Sequence, residues 1–144
     1  ATAQGCQVLS RLFPGFPRRD LSVIPSCVYT DPEIACAGLT VEEAKAAGLA
    51  ARSSKALTSA NGKSVLSGQE RGFVKLVWEE GSRRLLGAQL FCARATDLIG
   101  GLVPAIAQGM TVEELARSVF PHPTFSETVG EAAQAAVEIP NAGH

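Results

Sequence analysis

Two apolar runs in the middle of the chain, GFVKLVWEE at 72–80 and RLLGAQLFC at 84–92, limit the fold more than any other feature. FVKLVW alternates in polarity, with Phe73, Leu76 and Trp78 keeping the period of two only in part, so it reads as a strand with one buried face and one mixed face. Glu80-Gly81-Ser82 lies between the runs and predicts a hairpin. A weaker strand signal covers Ala51 to Leu57. LSVIPSCVYT at 21–30 reads as a further strand, whose Pro25 confines that part to a sheet edge or to the approach to it.

Helical signals surround these strands. Thr40-Val-Glu-Glu43 has capping-box spacing: the Thr hydroxyl accepts from the amide three residues on, and Glu43 reaches back to the Thr amide. Gly48 then ends that helix. The same device recurs at Thr111-Val-Glu-Glu114 and Thr124-Phe-Ser-Glu127, which marks three helix starts by one chemistry without making an internal repeat. The last helix is predicted from Thr124 to about Val137. Between Ala95 and Gln108 lies an apolar helix with a flaw. Its glycines, Gly100 and Gly101, cost about 1 kcal/mol each relative to Ala, and an interior Pro104 about 3. A kink or a late start is predicted there, with tertiary packing needed on most sides. Grouped strands with helices around them give an α+β class, mainly an antiparallel sheet packed with helices.

A chain of 144 residues suits one domain able to bury a core without disulfides or metal. With 46% hydrophobic residues, 19% charged residues and a net charge of −1, neither disorder nor an electrostatic attraction to nucleic acid is expected. No apolar run approaches the roughly 20 residues that span a bilayer. The opening ATAQGCQVLSR lacks the regions of a signal peptide, so no membrane association and a cytoplasmic location are expected. Met110 is the only methionine and the chain opens on Ala1, which reads as a fragment or a processed product. Residues 1–12 have helical spacing, like the tail of a helix whose beginning is missing. Phe13-Pro-Gly-Phe-Pro17 reads as a linker.

Several motifs fail on spacing. Asn61-Gly-Lys-Ser64 looks like the end of a phosphate-binding loop, but the Gly required five positions before Gly62 is Leu57. No two glycines are spaced as GxG, so the dinucleotide fingerprint is missing. Cys6, Cys27, Cys36 and Cys92 make no close pair; reduced thiols are expected in place of a zinc site. Ser126 lies in no GxSxG elbow, and its expected role is to solvate a helix start.

His122 is different. Pro121 and Pro123 flank it and restrict its backbone, and Glu127 follows five positions later, within reach of the imidazole or of the helix cap. From this local pattern a structural and a catalytic role both stay open.

HPTFSE at 122–127, together with VYTDPEIACAGLT at 28–40 and RGFVKLV at 71–77, resembles the C-terminal interface (dimerisation) domain of the FAD-dependent pyridine nucleotide-disulfide oxidoreductases, most closely that of the dihydrolipoamide dehydrogenases. The three motifs occur in the family's order, and the resemblance runs from about Leu21 to Ala136. It implies a two-layer interface domain over 18–144, with 1–17 as the tail of the helix closing the FAD domain plus a linker. It implies a homodimer with an obligate interface of about 2,000 to 5,000 Å². In such a dimer His122 is the acid/base lent to the other subunit's dithiol/disulfide site, and Glu127 orients and supports its imidazolium. FAD and NAD belong to the full-length enzyme, on N-terminal domains missing here, with no cofactor or metal bound by this fragment. The implied partner is the lipoyl-bearing component of a 2-oxo acid dehydrogenase or a glycine cleavage system.

The family's CxxxxC redox pair is absent, so it is expected upstream of Ala1 and the isolated fragment is expected to be inactive. Glutathione reductases share the HPT pattern. Mercuric reductases usually carry Tyr in place of His122 and end in a cysteine pair, whereas this chain ends Asn-Ala-Gly-His. Phe120 stands where dihydrolipoamide dehydrogenases often have a further His. The alternatives are the same domain of a glutathione reductase-like enzyme, or a free-standing, non-catalytic dimerisation module.

Overall fold

The computed structural model describes residues 2–140; Ala1 and the Asn-Ala-Gly-His tail, on which the expectations about the chain ends partly fall, lie outside the described residues. Helix α1 (Thr2–Leu12) buries no residue, and Val8, Leu12 and the following Phe13 are exposed. The body begins with β1 (Ser26–Val28), which starts just after Pro25 and forms one edge of the sheet, as the proline requires. β2 (Glu33–Gly38), α2 (Val41–Ala46), β3 (Ala51–Leu57), a short 3-10 turn (Thr58–Ala60) and α3 (Gly62–Leu66) follow. Then come the central hairpin β4 (Phe73–Glu79) and β5 (Leu85–Cys92), and the helices α4 (Ala95–Ala107), α5 (Val112–Ala116) and α6 (Glu127–Val137).

The strands form one five-stranded sheet in the order β1-β2-β5-β4-β3, antiparallel at every pairing. This is the expected α+β fold. Helices α4 and α6 cover one face, over Ala35, Ala37, Val74, Leu76, Trp78, Ala88 and Leu90. Phe73 does not share that face with Leu76 and Trp78; it lies on the other side of the sheet. On that side Val77 is buried in a second small cluster with Ala44 and Ala51, and a register shift separates it from Trp78. One strand therefore feeds two cores, which is why its period of two looks imperfect. Gly38 and Gly87 pair directly at the β2–β5 crossing, where a β-carbon on Gly38 would collide with the Leu86 carbonyl.

Two helix expectations need correction. Helix α4 neither starts late nor breaks: it runs from Ala95 through Gly100, Gly101 and Pro104. Those three residues are exposed, while Ala95, Ile99, Leu102, Ala105 and Ile106 are buried on the opposite face. Burial on that face offsets part of the propensity cost. Its first turn is capped from outside, since the Glu33 carboxylate accepts from Thr96 N at 2.9 Å and Thr96 Oγ1 at 2.7 Å. The Glu of the Asp31-Pro32-Glu33 motif thus has a structural task.

The second correction concerns α6. Thr40 and Thr111 each form complete capping boxes, but α6 starts at Glu127 and not at Thr124, and the Thr124 box is only half made. Glu127 Oε2 accepts from the Thr124 amide at 2.8 Å, while the Thr124 hydroxyl turns to the Pro121 carbonyl (2.7 Å) and Ser126 Oγ (2.7 Å).

Buried polar groups moor α6 to the sheet. Ser54 Oγ on β3 donates to the Ala132 carbonyl at 2.6 Å. Arg83, in the hairpin turn with φ of 63°, donates from Nη2 to the Ala136 carbonyl (2.8 Å) and from Nη1 to the Ile139 carbonyl (3.2 Å). Its Nε donates to Glu113 Oε1 at 2.6 Å, and the guanidinium lies 5.4 Å from the centre of the Trp78 ring. Arg83 thus adds donors to carbonyls at and just past the end of α6, where Ala136 also accepts from the Ile139 amide at 3.1 Å.

Candidate active site

His122 stands on the loop between α5 and α6, and both the Asp31-Pro32 and His122-Pro123 peptide bonds are cis. Its side chain is 80% exposed, whereas that of Glu127 is 24% exposed. The ring is therefore not part of the core. Nδ1 lies 2.8 Å from Glu127 Oε1. A carboxylate only accepts, so Nδ1–H donates to it, and in the neutral ring Nε2 is left as the outward-facing acceptor. Glu127 is thus shared: one oxygen holds the imidazole and the other holds the Thr124 amide.

These contacts keep the Glu127 carboxyl below its usual 4.5, first through the Thr124 backbone bond and then through the His122 bond. Glu131, one turn further along α6, is shifted the other way by burial and by the Glu127 charge. In such an arrangement Nε2 is left free to meet a proton donor or acceptor while the Glu127 carboxylate engages the other ring nitrogen.

Of the residues singled out from sequence, His122 and Glu127 come together. Ser126 does not join them; its hydroxyl meets that of Thr124. All four cysteines are free. Cys92 sits in the core, and burial, helped by the Glu33 charge, pushes its thiol up to about 11, far from thiolate chemistry at neutral pH. Among the described residues no group of three His, Cys, Asp or Glu side chains is placed to hold a metal. No helix among them is long and apolar enough to cross a membrane.

Sequence reasoning misses Asn61 as a contributor to this region. Its only signal there is an Asn at a helix start, because α3 is too short to show periodicity. It caps α3 and also reaches the loop that carries His122, donating from Nδ2 to the Thr124 carbonyl at 3.0 Å.

The carboxylates also set an acid limit. Glu33, Glu43, Glu114 and Glu127 are all held below their usual value by hydrogen bonds. In that window the unfolded chain binds more protons than the folded one. Their stabilisation is complete above the ordinary glutamate range and is lost as pH falls through the depressed values, with Glu131 opposing. Urea midpoints are expected to hold steady from about pH 7 to about pH 5 and to fall by about pH 3. A midpoint unchanged across that range would contradict the bonds.

Residues 24–133 match the family model described as "Pyridine nucleotide-disulphide oxidoreductase, dimerisation domain". The chain is 40% identical over 119 residues to a dihydrolipoyl dehydrogenase of Rhizobium etli, a match that covers 83% of this chain and 25% of that protein. With a dihydrolipoyl dehydrogenase of Chlorobaculum parvum it shares 45% identity over 116 residues, 81% of this chain and 25% of the other. Among solved structures, LpdA from Mycobacterium tuberculosis superposes with a TM-score of 0.77 at 28% identity, covering 88% of this chain and 28% of that one. The chain thus spans about a quarter of the length of the curated relatives it matches.

Proposed function

The chain belongs to the dimerisation-domain family of the pyridine nucleotide-disulphide oxidoreductases, and on that premise we propose that it is the subunit-interface domain of a dihydrolipoyl dehydrogenase whose His122–Glu127 pair serves the dithiol/disulfide site of the partner subunit. The observation that carries this reading is the imidazole itself: exposed, backed through Nδ1 by a carboxylate, and presenting Nε2 to whatever docks there. Nε2 takes the proton of an incoming dithiol as the S–H bond breaks. Glu127 supports the resulting imidazolium, and the thiolate is freed to attack a disulfide sulfur.

In the full-length enzyme FAD and NAD supply the electron transfer. The one phosphate-loop-like stretch among the described residues, Asn61 to Ser64, is committed to capping α3 through a buried Asn. On this reading the cofactors and the redox disulfide belong to other domains, with residues 1–17 as the tail and linker that join them to 18–144. The working unit is then a homodimer, and the natural substrate a lipoyl-bearing component of a 2-oxo acid dehydrogenase or glycine cleavage system. Prepared alone and free of flavin, the chain is expected to show no turnover of dihydrolipoamide with NAD. Turnover by such a preparation would contradict the assignment.

A further inference from the structure

Glu127 can hold His122 only if the loop between them keeps its shape, and one buried side chain from a distant part of the chain holds that loop. Asn61 Nδ2 donates to the Thr124 carbonyl at 3.0 Å, across 63 positions of sequence. Asn61 is 1% exposed, and its orientation is fixed from both ends: Oδ1 accepts from Ser64 N (2.9 Å) and Ser64 Oγ (3.0 Å), which leaves Nδ2 to face Thr124. The Thr124 amide in turn donates to Glu127 Oε2 at 2.8 Å, and Glu127 Oε1 meets His122 Nδ1 at 2.8 Å. A continuous run of contacts therefore leads from α3 to the imidazole.

We propose that Asn61 is a positioning residue for the His122–Glu127 pair, anchoring Thr124 so that one Glu127 oxygen is held by the backbone and the other is turned to the ring. Its consequence for catalysis rests on the acid/base reading given above. The anchor itself is independent of that reading, because it is visible in the behaviour of Glu127 alone. Asn61 does not touch the reacting atoms and acts only through Thr124.

The test is Asn61→Ser, in which a serine still caps α3 but is too short to reach the Thr124 carbonyl. The probe is the Glu127 carboxyl, followed by carbon NMR in the labelled chain during an acid titration. Thr111→Ala, which removes a capping box with no contact to the pair, controls for general loss of stability. Asn61→Ser is expected to move the Glu127 titration up toward the ordinary glutamate range, and Thr111→Ala to leave it in place. In the intact reductase, Asn61→Ser is expected to lower dihydrolipoamide turnover about tenfold, since small misplacements of acid/base groups slow proton transfer sharply. A Glu127 titration that stays put in folded Asn61→Ser overturns the proposal. If His122→Gln were to retain full turnover, the acid/base reading would fail, while a Glu127 carboxyl that still moves in Asn61→Ser would uphold the anchor.

Discussion

In an intact reductase built on this domain, His122→Gln is expected to lower turnover with dihydrolipoamide by about 10²- to 10⁴-fold, the usual contribution of a positioned acid/base group. Transfer to an artificial acceptor that bypasses the dithiol is expected to change by less than about twofold, because no proton then passes through the imidazole. The contrast between the two assays matters more than either number. Gln keeps a polar side chain of similar reach but has no group that takes up a proton near neutral pH. The ring is 80% exposed, so the substitution opens no cavity in the core, and an unfolding explanation for lost turnover is weak. Equal loss in both assays would return His122 to a structural role.

Arg83→Ala is expected to destabilise the fold by on the order of 3 kcal/mol, the scale for removing one partner of a largely buried, multiply bonded charge. Three acceptors lose a donor at once: the Glu113 carboxylate, the Ile139 carbonyl just past α6, and the Ala136 carbonyl, which keeps its bond from the Ile139 amide. The Trp78 ring also loses the guanidinium that lies over it. Glu113 is partly exposed and recovers water, and Ala136 keeps the Ile139 amide, so the cost falls mainly on the Ile139 carbonyl and on the lost packing of the guanidinium over Trp78. The urea midpoint measures this directly. A change under about 1 kcal/mol, the range of an ordinary surface ion pair, would show that the clamp contributes little.

Much of the fold is readable because it is written in local chemistry. The hairpin at 72–92 announces itself by two apolar runs and a Gly-containing turn, and the Thr40 and Thr111 boxes each lie within four residues. The pairing of His122 with Glu127 is readable for the same reason, since the two are five positions apart and meet across one turn. What escapes depends on distance along the chain. Glu33 caps α4 from 63 residues away, Arg83 clamps α6 from 53 and 56, and Asn61 reaches Thr124 from 63. None of these side chains carries a local mark of its partner. The misplaced start of α6 has a related cause: the spacing at Thr124 permits a capping box, but the Thr124 hydroxyl finds the Pro121 carbonyl and Glu127 is shared with His122. Propensity likewise misleads at α4, where burial of one face carries Gly100, Gly101 and Pro104 along.

Whether this imidazole works on sulfur chemistry in the other subunit is tested most directly by mixing two inactive full-length reductases, one with His122→Gln and one with its redox cysteines replaced by serine. If the histidine acts across the dimer, each mixed dimer holds one complete site, and statistical mixing restores about a quarter of the unaltered turnover. If mixed dimers form and no turnover returns, the histidine does not serve the partner's site and the account is wrong.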